Sequence, residues 1–260
     1  MKKAIKDFVG NMVVMAARQP IIRVCIEQAG FMLVPSYLQM LKGADKQYDI
    51  TWLPIFGDVA KRAVDMDKSC LDYDGLYTIF QALQNMSGVA QLNTAEVGVY
   101  KGGTSWFICE ALKQMKPGRA AKHYCFDTFT GHAGKDINAY DVHKAGDFGD
   151  TSYESVKGLL DGYGAVVLEG RFQDTYQAIE NRMFGFAHID TDLYEPTLFA
   201  LEFFVARMEP SGIIVVDDYG NVQCDGVKQA VDLFMAKNTQ FIKLHLLTGQ
   251  CVLIKRCPCD

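Results

Sequence analysis

Residues 92–104 read L-N-T-A-E-V-G-V-Y-K-G-G-T, an apolar run that ends in a glycine turn and opens into a helical pattern from Thr104 to Met115. A strand feeding a helix through glycines is the opening unit of a parallel α/β sheet. Downstream the alternation continues. Strands are expected from Leu92 to Val99, His123 to Asp127, Ala165 to Glu169, Gly185 to Asp190, Gly212 to Asp217, Phe241 to Leu247 and Cys251 to Lys255. Helices are expected between them, near Thr104 to Met115, Ser152 to Asp161, Thr175 to Met183, Pro196 to Met208 and Gly226 to Lys237. Only Thr248 and Gly249 separate the last two strands, so these should pair as an antiparallel hairpin at the sheet edge. Thr151 with Glu154 fits a capping box, and Pro196 suits the first helical position, where its missing donor is harmless.

Upstream, apolar residues fall at helical spacing, as in Ile5, Val9, Met12 and Val13, and again in Leu76, Ile79, Phe80 and Leu83. Residues 1–90 are therefore expected to form a helical cap, and residues 91–260 the α/β domain. Met12, Val13, Met15 and the face from Phe31 to Leu41 offer more apolar surface than a small cap needs, which points to a homo-oligomer. Lys2, Lys3 and the run from Phe8 to Ala17 look faintly like a signal peptide, but Asp7, Gly10 and Asn11 interrupt it and an amphipathic helix fits better. No run reaches the roughly 18 apolar residues that span a bilayer, so no membrane partner is expected.

With 26 Lys+Arg against 31 Asp+Glu, the chain carries a formal charge of −5 and is 49% hydrophobic, enough apolar content to order a core. It has no basic cluster of the kind that neutralises phosphates, which argues against nucleic acid and for a small-molecule partner. Eight cysteines in 260 residues are sparse for a disulfide scaffold. Cys25, Cys109, Cys125 and Cys251 sit in apolar stretches, as buried thiols of a cytoplasmic protein would. The tail pair Cys257 and Cys259 lacks the second pair that a structural zinc needs.

Ligands of parallel α/β sheets bind beyond the carboxyl ends of the strands, so the residues at those ends carry the chemistry. At the first strand, Glu96 precedes a turn in which Gly98, Gly102 and Gly103 allow close backbone approach ahead of Thr104. The second strand ends at Asp127, about one βαβ unit later, where a carboxylate can accept ribose hydroxyls. The dinucleotide fingerprint is absent, because Val99, Tyr100 and Lys101 follow Gly98, which disfavours a nicotinamide dehydrogenase. Two carboxylates without a lysine-centred phosphate loop suit a ligand with an adenosine and a cationic group. The fourth and fifth strands end in H-I-D-T-D-L-Y-E and I-I-V-V-D-D-Y-G. Adjacent strands lie about 4.8 Å apart, so Asp190 and Asp217 converge on one cation, with Asp192 and Asp218 beside them. Such oxygen ligands suit Mg²⁺, Mn²⁺ or Ca²⁺. His132 and His143, on the long loop from Thr128 to Gly149, are alternative bases. His123, His188 and His245 lie in strand patterns and read as core, and Tyr194 and Tyr219 flank the carboxylates.

Six blocks carry a resemblance: E-V-G-V-Y-K-G-G-T, Y-C-F-D-T-F-T-G, G-D-F-G-D-T-S, E-G-R-F-Q-D-T, H-I-D-T-D-L-Y-E-P-T and V-V-D-D-Y-G. In this order, from about Thr94 to Phe234, the chain resembles the macrocin and mycinamicin O-methyltransferases, class I enzymes that use S-adenosylmethionine on sugar hydroxyls in natural-product pathways. The resemblance implies a Rossmann-like seven-stranded, mostly parallel sheet with the last strand antiparallel. It also implies that Glu96, Gly98, Val99, Tyr100, Gly102 and Thr104 hold the donor, that Asp127 takes its ribose, and that Gly170, Phe172 and the block from Gly146 to Phe148 flank its adenine or close the site. Asp190, Asp217 and Asp218 match magnesium ligands. Asp190, which also borders the donor, Asp192 and His143 are the candidate catalytic groups. Transfer to nitrogen or to a phenol, and a non-catalytic binding module on the same fold, are the alternatives.

Overall fold

The computed structural model describes residues 54–89, 92–115 and 122–257. Two helices, α1 (Pro54–Asp65) and α2 (Tyr73–Gln84), precede the sheet. Then come β1 (Thr94–Val97), α3 (Gly103–Met115), β2 (His123–Asp127), α4 (Tyr153–Leu159), β3 (Val166–Glu169), a single turn α5 (Phe172–Thr175), β4 (Phe184–Ile189) and α6 (Tyr194–Val205). The chain closes with β5 (Met208–Val216), α7 (Asp225–Lys237), β6 (Phe241–His245) and β7 (Cys251–Lys255). The seven strands lie in the order β3-β2-β1-β4-β5-β7-β6. Pairs from β3 through β5 are parallel, and β7 runs antiparallel to both β5 and β6. This is the Rossmann-like, mostly parallel seven-stranded sheet expected from the sequence, with the terminal hairpin at one edge.

Every residue of β1 and β4 is buried, as befits central parallel strands covered on both faces. One face packs a group of phenylalanines. Phe204 of α6 stacks on Phe172 at 5.8 Å and meets Phe184 and Phe203 edge-on at 5.3 and 5.1 Å. On α1, Phe56 packs on Phe80 of α2 and Phe107 of α3. Residues 55–260 form one compact unit, so α1 and α2 fold together with the strands. The apolar face proposed for oligomer contacts, Cys25, Cys259 and the rest of the cap from residue 1 to 53 lie outside the described residues.

Three local expectations are corrected. The helix expected from Thr175 to Met183 is instead the turn α5 followed by a 3₁₀ turn, Tyr176–Ile179. Thr175 adopts φ −123° and its hydroxyl donates to the Arg171 carbonyl at 2.9 Å, which ends the α-helical run. The cap of α4 is Ser152, accepting from the Ser155 amide, whereas the Thr151 hydroxyl donates to the Tyr100 carbonyl and ties this loop to the β1–α3 turn. Helix α6 begins at Tyr194, so Pro196 is its third residue, still within the first turn where backbone donors lack helical partners. His245 also departs from its reading as core, since it lies exposed on the edge strand β6.

Phe204→Ala would empty the centre of the phenylalanine group. Equilibrium denaturant unfolding should show a loss of about 3–5 kcal/mol; a loss under about 1 kcal/mol would mean that the neighbouring rings collapse into the space.

Candidate active site

The strand order reverses between β1 and β4, and there a cavity of about 410 Å³ opens at the carboxyl edge of the sheet. Its floor depends on a close backbone contact. Gly98 donates to the Phe126 carbonyl at 2.9 Å and Asp190 to the Val97 carbonyl at 2.8 Å, so the ends of β2, β1 and β4 are laced together. At Gly98, with φ +88°, an added Cβ would stand 1.6 Å from the Asp190 carbonyl oxygen. No other residue type fits there.

Asp127 braces this turn. One carboxylate oxygen accepts from the Val99 and Tyr100 amides at 2.7 and 2.8 Å, and the other from the Phe129 amide at 2.7 Å. It shapes the donor loop directly, and a carboxylate's roughly four acceptor positions leave room for one further donor. Glu96 is 1% exposed. The Ser105 hydroxyl donates to one of its oxygens, and His188 Nδ1 lies 2.8 Å from the other. Ser105 also meets His123 Nε2 at 3.0 Å, and His123 Nδ1 meets the Thr94 hydroxyl at 2.8 Å, giving a buried polar chain across three strands. Burial, with His188 adding to it, pushes the His123 pKa down to about 3.

Other expected donor contacts divide. Gly98, Val99, Tyr100, Thr104, Gly170 and Phe172 border the cavity, as do Glu96 and Asp127. The Thr104 hydroxyl, however, is paired with Ser69 at 2.7 Å, and the Phe172 ring sits in the aromatic core, 4.8 Å from Phe126. Gly102 faces Val156 and Leu159 of α4 rather than the cavity. Tyr194 and Tyr219 do not border the cavity either; the Tyr219 hydroxyl donates to Asp232 at 2.8 Å.

Ile189 and Val216 are register partners, which brings Asp190 and Asp217 to the ends of adjacent strands, as expected. Carboxylate oxygens of Asp190, Asp192 and Asp218 all lie within 4.8 Å of one another. Asp217 stands outside that trio, facing His188 and Gln250. The crowding is electrostatically expensive. Burial, then the charges of Asp217 and Asp192, holds the Asp190 carboxyl well above the usual carboxylate range. Burial, then a hydrogen bond and charge from Asp218, does the same to Asp192, and burial raises Asp217 to about 6. Asp192 and Asp218 also adopt φ +58°, a strained choice for non-glycine residues that aims both toward the cavity.

The long loop folds onto the site. Arg171 grips buried Asp136 through Nε at 2.7 Å and through Nη2, while Lys101 pairs with Asp150 and the Tyr100 hydroxyl donates to it at 2.8 Å. The loop so held carries His132, His143 and Phe148, whose rings pack at 5.3–5.8 Å. His132 Nε2 lies 3.5 Å from Asp192 Oδ2 and has no hydrogen-bond partner among the described residues. His143 Nε2 lies 3.6 Å from Cys224 Sγ. The sequence reading missed Cys224, the Arg171–Asp136 clamp and the wall formed by Lys68, Ser69 and Cys70, all of which border the cavity. Each depends on contacts between distant segments, and none belongs to a motif.

Residues 95–219 match the methyltransferase-domain family. Over 140 residues the chain is 30% identical to 8-demethyl-8-(2,3-dimethoxy-alpha-L-rhamnosyl)-tetracenomycin-C 4'-O-methyltransferase of Streptomyces olivaceus, covering 50% of this chain and 53% of that protein. The chain thus spans about half the length of the curated relative it matches. Among solved structures, the O-methyltransferase NovP superposes with a TM-score of 0.65 at 24% identity, covering 73% of this chain and 83% of its own. The calicheamicin methyltransferase CalS11 gives a TM-score of 0.59 at 21% identity, covering 76% and 91%. These two likenesses establish the fold. Most of the residues that line the switch-point cavity lie within 95–219, the segment that is similar to the methyltransferase-domain family.

Proposed function

We propose that this chain transfers the methyl group of S-adenosylmethionine to a hydroxyl of a sugar or similar small-molecule acceptor, with Mg²⁺ held by Asp190 and Asp218 beside Asp192; Asp217, expected from the sequence as a third ligand, stands outside that group. One observation carries the reading: four carboxylates crowd the ends of β4 and β5, three of them with pKa values forced upward, and no lysine or arginine pairs with them among the described residues. An all-oxygen set of this charge suits a hard divalent cation. The Streptomyces relative, named for 4'-O-methylation of a rhamnosyl-tetracenomycin, supports the acceptor class.

The donor fits the cavity on a separate observation. Gln173 Oε1 is buried, without a hydrogen-bond partner among the described residues, and Gln173 borders the cavity beside Gly170 and Phe172. An adenine amine there would satisfy it. Asp127, which already orders the Val99 and Tyr100 amides, keeps an acceptor position for a ribose hydroxyl.

A bound divalent cation supplies a Lewis acid that lowers the pKa of an acceptor hydroxyl and fixes the direction from which it attacks. The chain's own residues do the rest. Asp192 is the proposed base, its Oδ2 receiving the hydroxyl proton, with His132 Nε2 3.5 Å from that oxygen. His143 is the alternative base and lies on the same wall. Phe148, packed on Tyr100 at 5.7 Å, closes the cavity against water. We assign the connection between α1 and α2 to shaping the acceptor pocket, a reading supported by the position of Lys68, Ser69 and Cys70 on the cavity wall.

Asp218→Asn should lower kcat by more than about 100-fold while leaving donor affinity, read by calorimetry without metal, within a few-fold of the parent. Donor binding lost together with turnover would place Asp218 in the donor site instead. The crowded carboxyls also set a pH signature. Their pKa values are raised on folding, so the folded protein binds protons that the unfolded chain has released, and stability in chelator falls as pH rises from about 4 through about 6 and beyond. Asp190→Asn removes one of the repelling charges. Thermal melts in chelator at pH 8 should show a higher Tm for the variant, and Mg²⁺ should stabilise the parent but not the variant; a lower Tm for the variant would contradict the repulsion.

A further inference from the structure

We propose that His143, Cys224 and Asp192 form a second, softer metal site beside the carboxylate trio, selective for Zn²⁺ over Mg²⁺, and that Zn²⁺ bound there blocks the reaction by capturing Asp192. The donor atoms of these three residues lie within 4.8 Å of one another. His143 Nε2 stands 3.6 Å from Cys224 Sγ, and Cys224 Sγ stands 4.0 Å from Asp192 Oδ1. Zinc bonds of about 2.3 Å to sulfur and about 2.0–2.1 Å to nitrogen, at a tetrahedral angle, set an N···S edge of about 3.6 Å. The observed spacing already has that length, and the S···O edge needs only a small inward shift of a side chain.

The surroundings are those of an imidazole ligand held for a metal. His143 Nδ1 faces the Asp147 carboxylate at 3.7 Å, which leaves Nε2 free toward Cys224; a carboxylate behind a histidine is the usual support for a zinc ligand. His132 Nε2 faces the other oxygen of Asp192 and has no hydrogen-bond partner among the described residues. Three protein ligands with the fourth position open to the cavity match the zinc sites that keep an exchangeable ligand. Thiolate and imidazole discriminate against Mg²⁺, which prefers oxygen and octahedral geometry. On binding, the S–H bond of Cys224 is replaced by S–Zn and the proton leaves to solvent, with no change of oxidation state. The site itself stands on this geometry alone. The block rests on the proposed role of Asp192 in methyl transfer.

Co²⁺ titrated into the metal-free full chain tests the site, because a thiolate ligand gives a sulfur-to-cobalt charge-transfer band and tetrahedral geometry gives intense visible bands. One equivalent should produce both, Zn²⁺ should bleach them, and millimolar Mg²⁺ should not. Cys224→Ser should abolish the charge-transfer band, and His143→Ala, on a surface loop, should weaken or shift the visible bands. Cys257→Ser and Cys70→Ser should leave the spectrum unchanged. Absence of a charge-transfer band in the parent, or its survival in Cys224→Ser with loss in Cys257→Ser or Cys70→Ser, would overturn the proposal. In turnover assays with Mg²⁺, equimolar Zn²⁺ should suppress methyl transfer in the parent and much less in Cys224→Ser. Equal suppression in both would overturn the block. Cobalt bands in a chain that transfers no methyl group would sink the methyltransferase reading and leave the metal site standing.

Discussion

Like charges at the carboxyl ends of β4 and β5 are the constraint on which the rest of this structure depends. Asp190, Asp192, Asp217 and Asp218 are brought together by strand register, because Ile189 and Val216 are paired one residue before the first and third of them. Nothing in the local sequence relieves their repulsion. The fold tolerates it by keeping protons on carboxyls that would otherwise be ionised, the state that burial and mutual charge both favour. That arrangement costs stability, the usual exchange of stability for function at an active site, and on the proposed reading a bound cation offsets the cost.

The ground under the carboxylates is rigid for identifiable reasons. Gly98 allows β1 and β4 to meet backbone to backbone, and Asp127 ties the Val99 and Tyr100 amides to the end of β2. Beneath them the chain Thr94–His123–Ser105–Glu96–His188 crosses β2, β1 and β4 with nearly every polar atom paired. Such a satisfied network holds strand positions that apolar packing alone would leave free to slide. Above them the long loop is fastened at two points by the Arg171–Asp136 and Lys101–Asp150 pairs.

Much of this was legible in the sequence because buried parallel strands read as short apolar runs, and here several of them end in aspartate. The strand ends at Asp127, Asp190 and Asp217 therefore marked both the sheet and the site. Asp192 was harder to place. It was expected as a base beside the metal ligands, yet its oxygens lie with those of Asp190 and Asp218, because its left-handed backbone turns it back toward them, a conformation no local pattern announces. Gly102 looked like a donor contact from its place in the glycine turn, but it serves the packing of α4. Cys224 and Asp136 were invisible for a different reason: their partners lie tens of residues away, and only the folded loop brings them to the cavity.

The central claim is that the folded chain keeps protons on its acidic cluster until a cation replaces them. Mn²⁺ titration by calorimetry at pH 6, in two buffers of different ionisation enthalpy, measures that exchange directly. The account predicts one tight site per chain, with protons released on binding and the release shrinking as pH rises. Binding with no proton release, or no tight site in the intact chain, would contradict it.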